Sequence, residues 1–256
     1  MRFDWYTATT DDIRGPDMVG ELMDVFGQLD HAGIAAEGHR KVYRYDNATA
    51  IKDAAGQLCI VRWGGNGGGT NVEANGPSAV PVAAFLRASY PNHRVTRMDA
   101  CVDRESPGLF DLYHPQLLGI ADDHRIVVDH QGDWHRGERG RTLYLGGRDS
   151  EKRLRFYEKG IQLHGERHPQ ASPDLCRLEA VIRPDQRDAK HRAATMTPLE
   201  CFGSSAWLTD ALERYAGIGA PEVQLRTHRK TQLDRAFEFM CKQYRRPLEA
   251  KLAASG

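Results

Sequence analysis

Three short segments of this chain alternate apolar and charged residues with a period of two, and that pattern constrains the fold more than any other feature. A strand sends successive side chains to opposite faces of its sheet. Residues 95–103 (VTRMDACVD) therefore place Val95, Arg97, Asp99, Cys101 and Asp103 on one face and Thr96, Met98, Ala100 and Val102 on the other. Residues 153–159 (RLRFYEK) set Arg153, Arg155, Tyr157 and Lys159 against Leu154, Phe156 and Glu158. Residues 175–183 (LCRLEAVIR) set Arg177, Glu179 and Arg183 against Cys176, Leu178, Ala180 and Ile182. If the three share a sheet, their apolar faces pack on a core and their polar faces converge on acids, cations and one phenol. That composition offers hard oxygen ligands for a Mg²⁺- or Mn²⁺-type ion, cations for phosphates and a nucleophile. One such strand alone is satisfied by a solvated face; the repetition, with Arg two residues before an acid in Arg97/Asp99 and Arg177/Glu179, points to a site.

The remaining chain predicts an α+β fold, an antiparallel-rich central sheet with covering helices. Residues 2–7 alternate as a strand, and Met18, Val19, Leu22, Val25, Phe26 and Leu29 recur at helical spacing within 17–30. Strands are expected at 40–46, 57–63 and 70–75, and a helix at 77–90. The glycine run GGNGGGT at 64–70 lacks the Lys-Ser/Thr of a phosphate-binding loop and reads as a hairpin loop. Residues 195–217, with Leu199, Phe202, Trp207, Leu208, Leu212 and Tyr215, and residues 229–253 read as amphipathic helices. Two parts are expected: a domain over 1–190 and a helical C-terminal extension over 191–256.

Composition excludes several classes. Of 256 residues, 40% are hydrophobic and 27% charged, which removes disordered and fibrous chains. No apolar run approaches the ~20 residues that span a bilayer, and MRFDWYTATT has no signal-peptide core, so the expected location is the cytoplasm, away from membranes. The five cysteines form no C-x-x-C pair, which argues against a disulfide framework or a zinc site. Net charge is zero, yet residues 1–130 carry −6 and residues 131–256 carry +6, compatible with a basic working surface in the second half. His130 and His135 resemble metal spacing only loosely and read as surface or core histidines.

The order RMDACVD (97–103), GRTLYLGGRDSEKRLRFYEKG (140–160) and CRLEAVIR (176–183) resembles the replication initiation factor family. These are rolling-circle initiators of plasmids and filamentous phages, with related relaxases of integrative elements. The family pattern is an R-x-D-x-x-x-D strand, a T-x-Y-x-G-S-R-x-S turn, an R-x-Y-x-K strand and an R-x-E strand. The likeness spans roughly residues 1–183 in spacing and is sharpest over 140–160, where Gly147 stands in place of the usual Ser. Members nick one DNA strand through a tyrosine that becomes joined to the 5′ phosphate. They use carboxylate metal chemistry, without the histidine pair of the other large rolling-circle class. No two of the 11 histidines here are separated by a single residue, in keeping with that.

The resemblance implies Tyr157 as nucleophile, with Lys159 and Arg155 supplying charge to lower the cost of its phenolate. It implies Asp99, Asp103 and Glu179 as ligands of Mg²⁺ or Mn²⁺, and Arg97, Arg148 and Arg177, with Arg155, as DNA phosphate contacts. Tyr144 is the rival nucleophile, and Asp103 alternatively caps a turn. The implied partners are single-stranded and duplex origin DNA, the host replication helicase and polymerase, and, as one assembly the family allows, a second copy of the chain. Conjugative nicking by the same chemistry, a non-catalytic DNA-binding regulator, and a metal nuclease using water are the competing functions. At the C-terminal end, Leu233, Ala236, Phe237 and Met240 form an apolar stripe expected to be buried. Arg226, Arg229, Lys230, Arg235, Lys242, Arg245 and Arg246 form a basic surface, either solvated or clamping duplex DNA.

Overall fold

The computed structural model describes residues 1–38, 44–65, 69–166, 168, 170–225 and 232–253. Its elements in chain order are β1 (Arg2–Thr10), α1 (Gly15–Gln28), β2 (Ala35–Gly38), β3 (Asn47–Asp53), β4 (Gly56–Trp63), β5 (Thr70–Asn75), α2 (Ala79–Ser89), β6 (Arg94–Glu105), α3 (Leu109–His124), β7 (Val128–Gly132), β8 (Arg141–Leu145), β9 (Lys152–Tyr157), α4 (Lys159–Gly165), β10 (Leu175–Ile182), α5 (Arg187–Ala193), α6 (Pro198–Phe202), α7 (Ala206–Ala216) and α8 (Gln232–Ala253). Ten strands form one sheet in the order β2-β3-β4-β5-β1-β6-β10-β9-β8-β7. Every neighbouring pair is antiparallel. The α+β expectation is met.

The three alternating segments are β6, β10 and β9, side by side near the middle of the sheet. Their apolar faces lie in one continuous core: Met98 and Ala100, Leu178, Ala180 and Ile182, Leu154 and Phe156 are all buried there. Helices supply the other side of that core. Helix α1 contributes Met18, Leu22 and Phe26, spaced by four, and α7 contributes Leu208, Ala211, Leu212 and Tyr215. The Tyr215 hydroxyl donates to the Cys176 carbonyl at 2.8 Å, which ties α7 to β10.

The structure departs from expectation in several places. Most of the strand expected at 40–46 lies outside the described residues, which omit 39–43; a further strand, Asn47–Asp53, pairs with β4 across a turn at Ala54–Ala55. The stretch 195–217 is two helices, because the chain turns at Gly203 and Ser204 before α7 starts. A Cβ on Gly203 would stand 1.7 Å from the Pro221 carbonyl oxygen, so this turn depends on a residue without a side chain. Helix α3 and strand β7 had no clear sequence signal. Lys159 is the first residue of α4 instead of the last of β9.

The chain divides into two units, Met1–Leu225 and Arg226–Gly256, so α5, α6 and α7 belong with the sheet. Within the second unit by itself, Leu233, Phe237 and Met240 are exposed. Arg226, Arg229 and Lys230 lie outside the described residues. No described helix is long and apolar enough to cross a membrane.

One buried group links the first unit to pH. His93 is 1% exposed. Its Nδ1 stands 2.7 Å from the Tyr90 carbonyl and its Nε2 2.7 Å from the Tyr6 hydroxyl. A carbonyl only accepts, so Nδ1 carries a proton; burial disfavours a second one, and in the neutral ring Nε2 accepts from the Tyr6 hydroxyl. Burial accordingly holds its pKa below the ordinary 6.5. The unfolded chain binds this proton and the folded chain resists it. The stability involved is therefore whole above pH 6.5 and is lost as pH falls through the folded value. Urea unfolding at pH 7.5 and 5.5 should show the wild type losing more stability over that interval than His93→Asn; equal losses would mean that His93 is not the group responsible.

Candidate active site

The registers of β1, β6, β10, β9, β8 and β7 lay the polar face out in rows. Asp103, Arg177, Tyr157, Thr142 and Gln131 are successive cross-strand partners in one row. Cys101, Glu179, Arg155, Tyr144 and Asp129 form the next. A third holds Trp5, Asp99, Val181 and Arg153. Rows two residues apart are separated by about 6.7 Å along the strands.

Tyr157 and Glu179 meet between the first two rows. The phenol donates to Glu179 Oε1 at 2.6 Å, and both residues are buried, at 2% exposure each. Arg155 lies across the Tyr157 ring, 3.8 Å from its centroid, with Nη1 3.5 Å from Glu179 Oε2. Burial, opposed by Arg155, pushes the Glu179 carboxyl up to about 7. Burial, and next the Glu179 charge, raises the Tyr157 phenol well above its ordinary value. The resting pair is thus a protonated phenol beside a carboxylate of raised basicity. Burial opposes the charge on Arg155, but Glu179, Tyr157, Tyr144 and Asp99 together outweigh it and keep the guanidinium protonated. The Nε of Arg155 is buried without a hydrogen-bond partner among the described residues.

The other two carboxylates are engaged by arginines. Asp103 accepts from Arg177 Nε at 2.5 Å and Nη2 at 2.8 Å, and from Arg2 Nη1 at 3.1 Å. Burial alone would raise Asp103, but Arg177 and Arg2 outweigh it and hold the carboxyl below its ordinary range. Arg177, 4% exposed, also meets Asp4 at 2.7 Å. Asp4 reaches it because the β1–β6 register shifts between Phe3 and Trp5, a bulge that re-aims the strand. Asp99 takes both its oxygens to Arg97, at 3.0 and 2.7 Å, and Arg97 in turn lies 4.0 Å over the Trp5 ring. Burial, against the pull of Arg97, raises Asp99.

These residues enclose a cavity of about 690 Å³. Its lining includes Arg97, Asp99, Arg155, Tyr157, Lys159, Arg177 and Glu179. Of the residues expected from sequence, Asp103 and Arg148 are outside that lining. Lys159 comes in from the start of α4, with its ammonium 5.8 Å from the Tyr157 ring centre. Gly160 allows this: a Cβ there would sit 1.8 Å from the Ser172 carbonyl oxygen, so α4 can pack this tightly only without one. Burial, and then Arg177, lowers the Lys159 pKa. Sequence reasoning missed Arg2, Asp4 and Trp5; their alternation over 2–7 was visible, but the bulge that turns them to the site was not. Tyr144 shares the face, with Arg153 stacked 3.7 Å over its ring. His130 is not on this face: it pairs with His114 at 3.1 Å beside Trp134.

The carboxylates do not present a shared metal cage. Asp99 and Asp103 are each chelated by an arginine, and among the described residues no group of three or more His, Cys, Asp or Glu is arranged to hold a metal ion. Asp103 stands in this geometry as the anchor of Arg177. Asp103→Asn should therefore cost about 2 kcal/mol of unfolding free energy, the scale of a charge-assisted hydrogen bond. Its loss of function should not be restored by raised Mn²⁺. Unchanged stability with recovery in Mn²⁺ would make Asp103 a metal ligand instead.

The site can be set beside known proteins. A comparison with curated protein sequences found no match. A solved structure titled as a rolling circle replication initiator protein from Geobacillus stearothermophilus aligns with a TM-score of 0.53 and 21% identity over 90% of this chain and 88% of that one, which shows a shared fold. The model of the replication initiation factor family matches residues 93–240, a span that begins just before β6 and takes in β9, β10 and every site residue except those on β1 and the turn at Asn75–Pro77. With more than half of its length matched, the chain belongs to the replication initiation factor family.

Proposed function

We propose that this protein starts rolling-circle replication by nicking one strand of origin DNA through Tyr157. The observation that carries the reading is the 2.6 Å hydrogen bond from the Tyr157 hydroxyl to the buried Glu179 carboxylate, beneath Arg155. A phenol with a raised pKa is not a phenolate at neutral pH, so its proton must leave as it attacks. Glu179 is in position to take it.

In this reading the scissile phosphate draws Arg155 off the Tyr157 ring and uncovers the hydroxyl. The unpartnered Arg155 Nε then finds an acceptor, and Arg177 and Arg97 lie within the same cavity to offset developing negative charge. The Tyr157 oxygen bonds to phosphorus while its proton passes to Glu179. The bond from phosphorus to the 3′ oxygen breaks, and that oxygen takes a proton from Lys159, whose burial makes it a ready donor. The products are a free 3′ hydroxyl and a 5′-phosphotyrosine, and rejoining runs the same steps backwards.

Purified Tyr157→Phe should bind single-stranded DNA as the wild type does yet give no nick and no covalent product on a denaturing gel. Glu179→Gln should slow nicking by roughly 10²–10⁴-fold, the usual scale for loss of a general base. Lys159→Met should be slow on an ordinary strand but near wild type on one with sulfur at the bridging 3′ position, which leaves without a proton. Adduct at wild-type level in Tyr157→Phe would overturn the reading.

A further inference from the structure

The polar face continues past the cavity. In the row beyond Glu179 and Arg155 stands Arg153, opposite Val181, and one step further β10 runs into Arg183, whose N–H donates to the Glu151 carbonyl at 2.7 Å. Arg153 is 7% exposed. Its guanidinium lies over Tyr144, and its Nη2 meets Asp129 at 3.1 Å, but its Nε is buried with no hydrogen-bond partner among the described residues. Arg183 is half-buried, with Nη1 donating to the Arg148 carbonyl at 3.1 Å.

Arg97, Arg153 and Arg183 crowd together here: burial first, and then the repulsion of Arg97 and Arg153, lowers the Arg183 pKa. The carboxylates facing the group are Asp99, Asp129 and Asp149. Asp99 is chelated by Arg97, and Asp129 is nearly half exposed, at 46%, and reaches only one Arg153 nitrogen. A buried guanidinium N–H without an acceptor is costly, and so are crowded arginines. One phosphate oxygen pair relieves both costs, because guanidinium donors match that geometry. Arg153 stands two rows beyond Tyr157 but one row, about 6.7 Å, beyond Arg155, which the scissile phosphate engages, and one row is close to the phosphate repeat of an extended single strand.

We propose that Arg153 and Arg183 form a second phosphate subsite, which holds the phosphodiester next to the scissile one in a single DNA strand running along β9. The inference rests on the reading of Tyr157 as the nicking residue. It gives the polar face a direction: chemistry at Tyr157 and Glu179, grip one nucleotide away at Arg153 and Arg183.

The test uses full-length Tyr157→Phe protein, so that cleavage does not intervene. Its affinity is measured for a single-stranded oligonucleotide whose phosphates are replaced one at a time by neutral methylphosphonate, and wild-type cleavage of the unmodified strand marks the scissile position. One phosphate adjacent to that position should matter, with about a tenfold loss on neutralisation. Adding Arg183→Gln should weaken the unmodified strand by a similar factor and erase sensitivity at that phosphate alone. Arg153→Gln, checked for folding by circular dichroism, should do the same; if it fails to fold, Arg183→Gln decides. Indifference of the parent at both flanking phosphates, or undiminished sensitivity in Arg183→Gln, overturns the subsite. Failure of the wild type to cleave any strand instead counts against Tyr157, and is read separately from the phosphate scan.

Discussion

A guanidinium with 4% of its surface exposed cannot remain unpaired, and Arg177 is in that position at the centre of the sheet. Its partners come from two other strands, Asp103 on β6 and Asp4 on β1. The pairing links three strands, and it uses the bulge at Asp4, which also turns Trp5 toward the cavity. Once the β9–β10 register is set, Tyr157 must face Arg177 and Arg155 must face Glu179, because partners across antiparallel strands share a face. That register then brings the Tyr157 hydroxyl to Glu179, next to the cation that β6 and β1 hold in place. Removing either acidic partner would leave charge stranded beneath the site, which is why Asp103 matters without touching the cavity.

Much of this was legible in the chain. Period-two alternation in residues 95–103, 153–159 and 175–183 identified three strands, their polar faces and the cavity-lining residues that those strands carry. What alternation cannot show is pairing. Each arginine two residues from a carboxylate reads equally as a phosphate contact or an ion-pair partner, and the outcomes differ: Arg97 chelates its own Asp99, whereas Arg177 passes over Glu179 for Asp103. Three carboxylates on one face suggested a metal cage; that Asp99 and Asp103 are chelated by arginines while Glu179 takes the Tyr157 hydroxyl depends on side-chain directions that no spacing encodes. Lys159 looked like the end of a strand because its position kept the alternation, yet Gly160 lets the chain start a helix there.

Elsewhere the signals were incomplete. The strand at 47–53, where Ile51 and Ala50 are buried against β4, had no expectation of its own, because no clean alternation marks it. The stripe Leu233, Phe237 and Met240 has the spacing of a buried helix face and is exposed in its own unit; helical periodicity reports a face that needs covering, not what covers it. Zero net charge hid the arrangement at the site, where Arg97, Arg153, Arg155, Arg177 and Arg183 share one face of the sheet.

The central claim is that one tyrosine, identified by its bond to Glu179, carries the cleaved strand. Mass spectrometry of the adduct tests this most directly. Wild-type protein is trapped on a single-stranded oligonucleotide under denaturing conditions, digested with protease and nuclease, and the modified peptide sequenced. The account predicts a nucleotide phosphate on Tyr157 alone. A phosphate on Tyr144 or any other residue, or cleavage that leaves the protein unmodified, would contradict it.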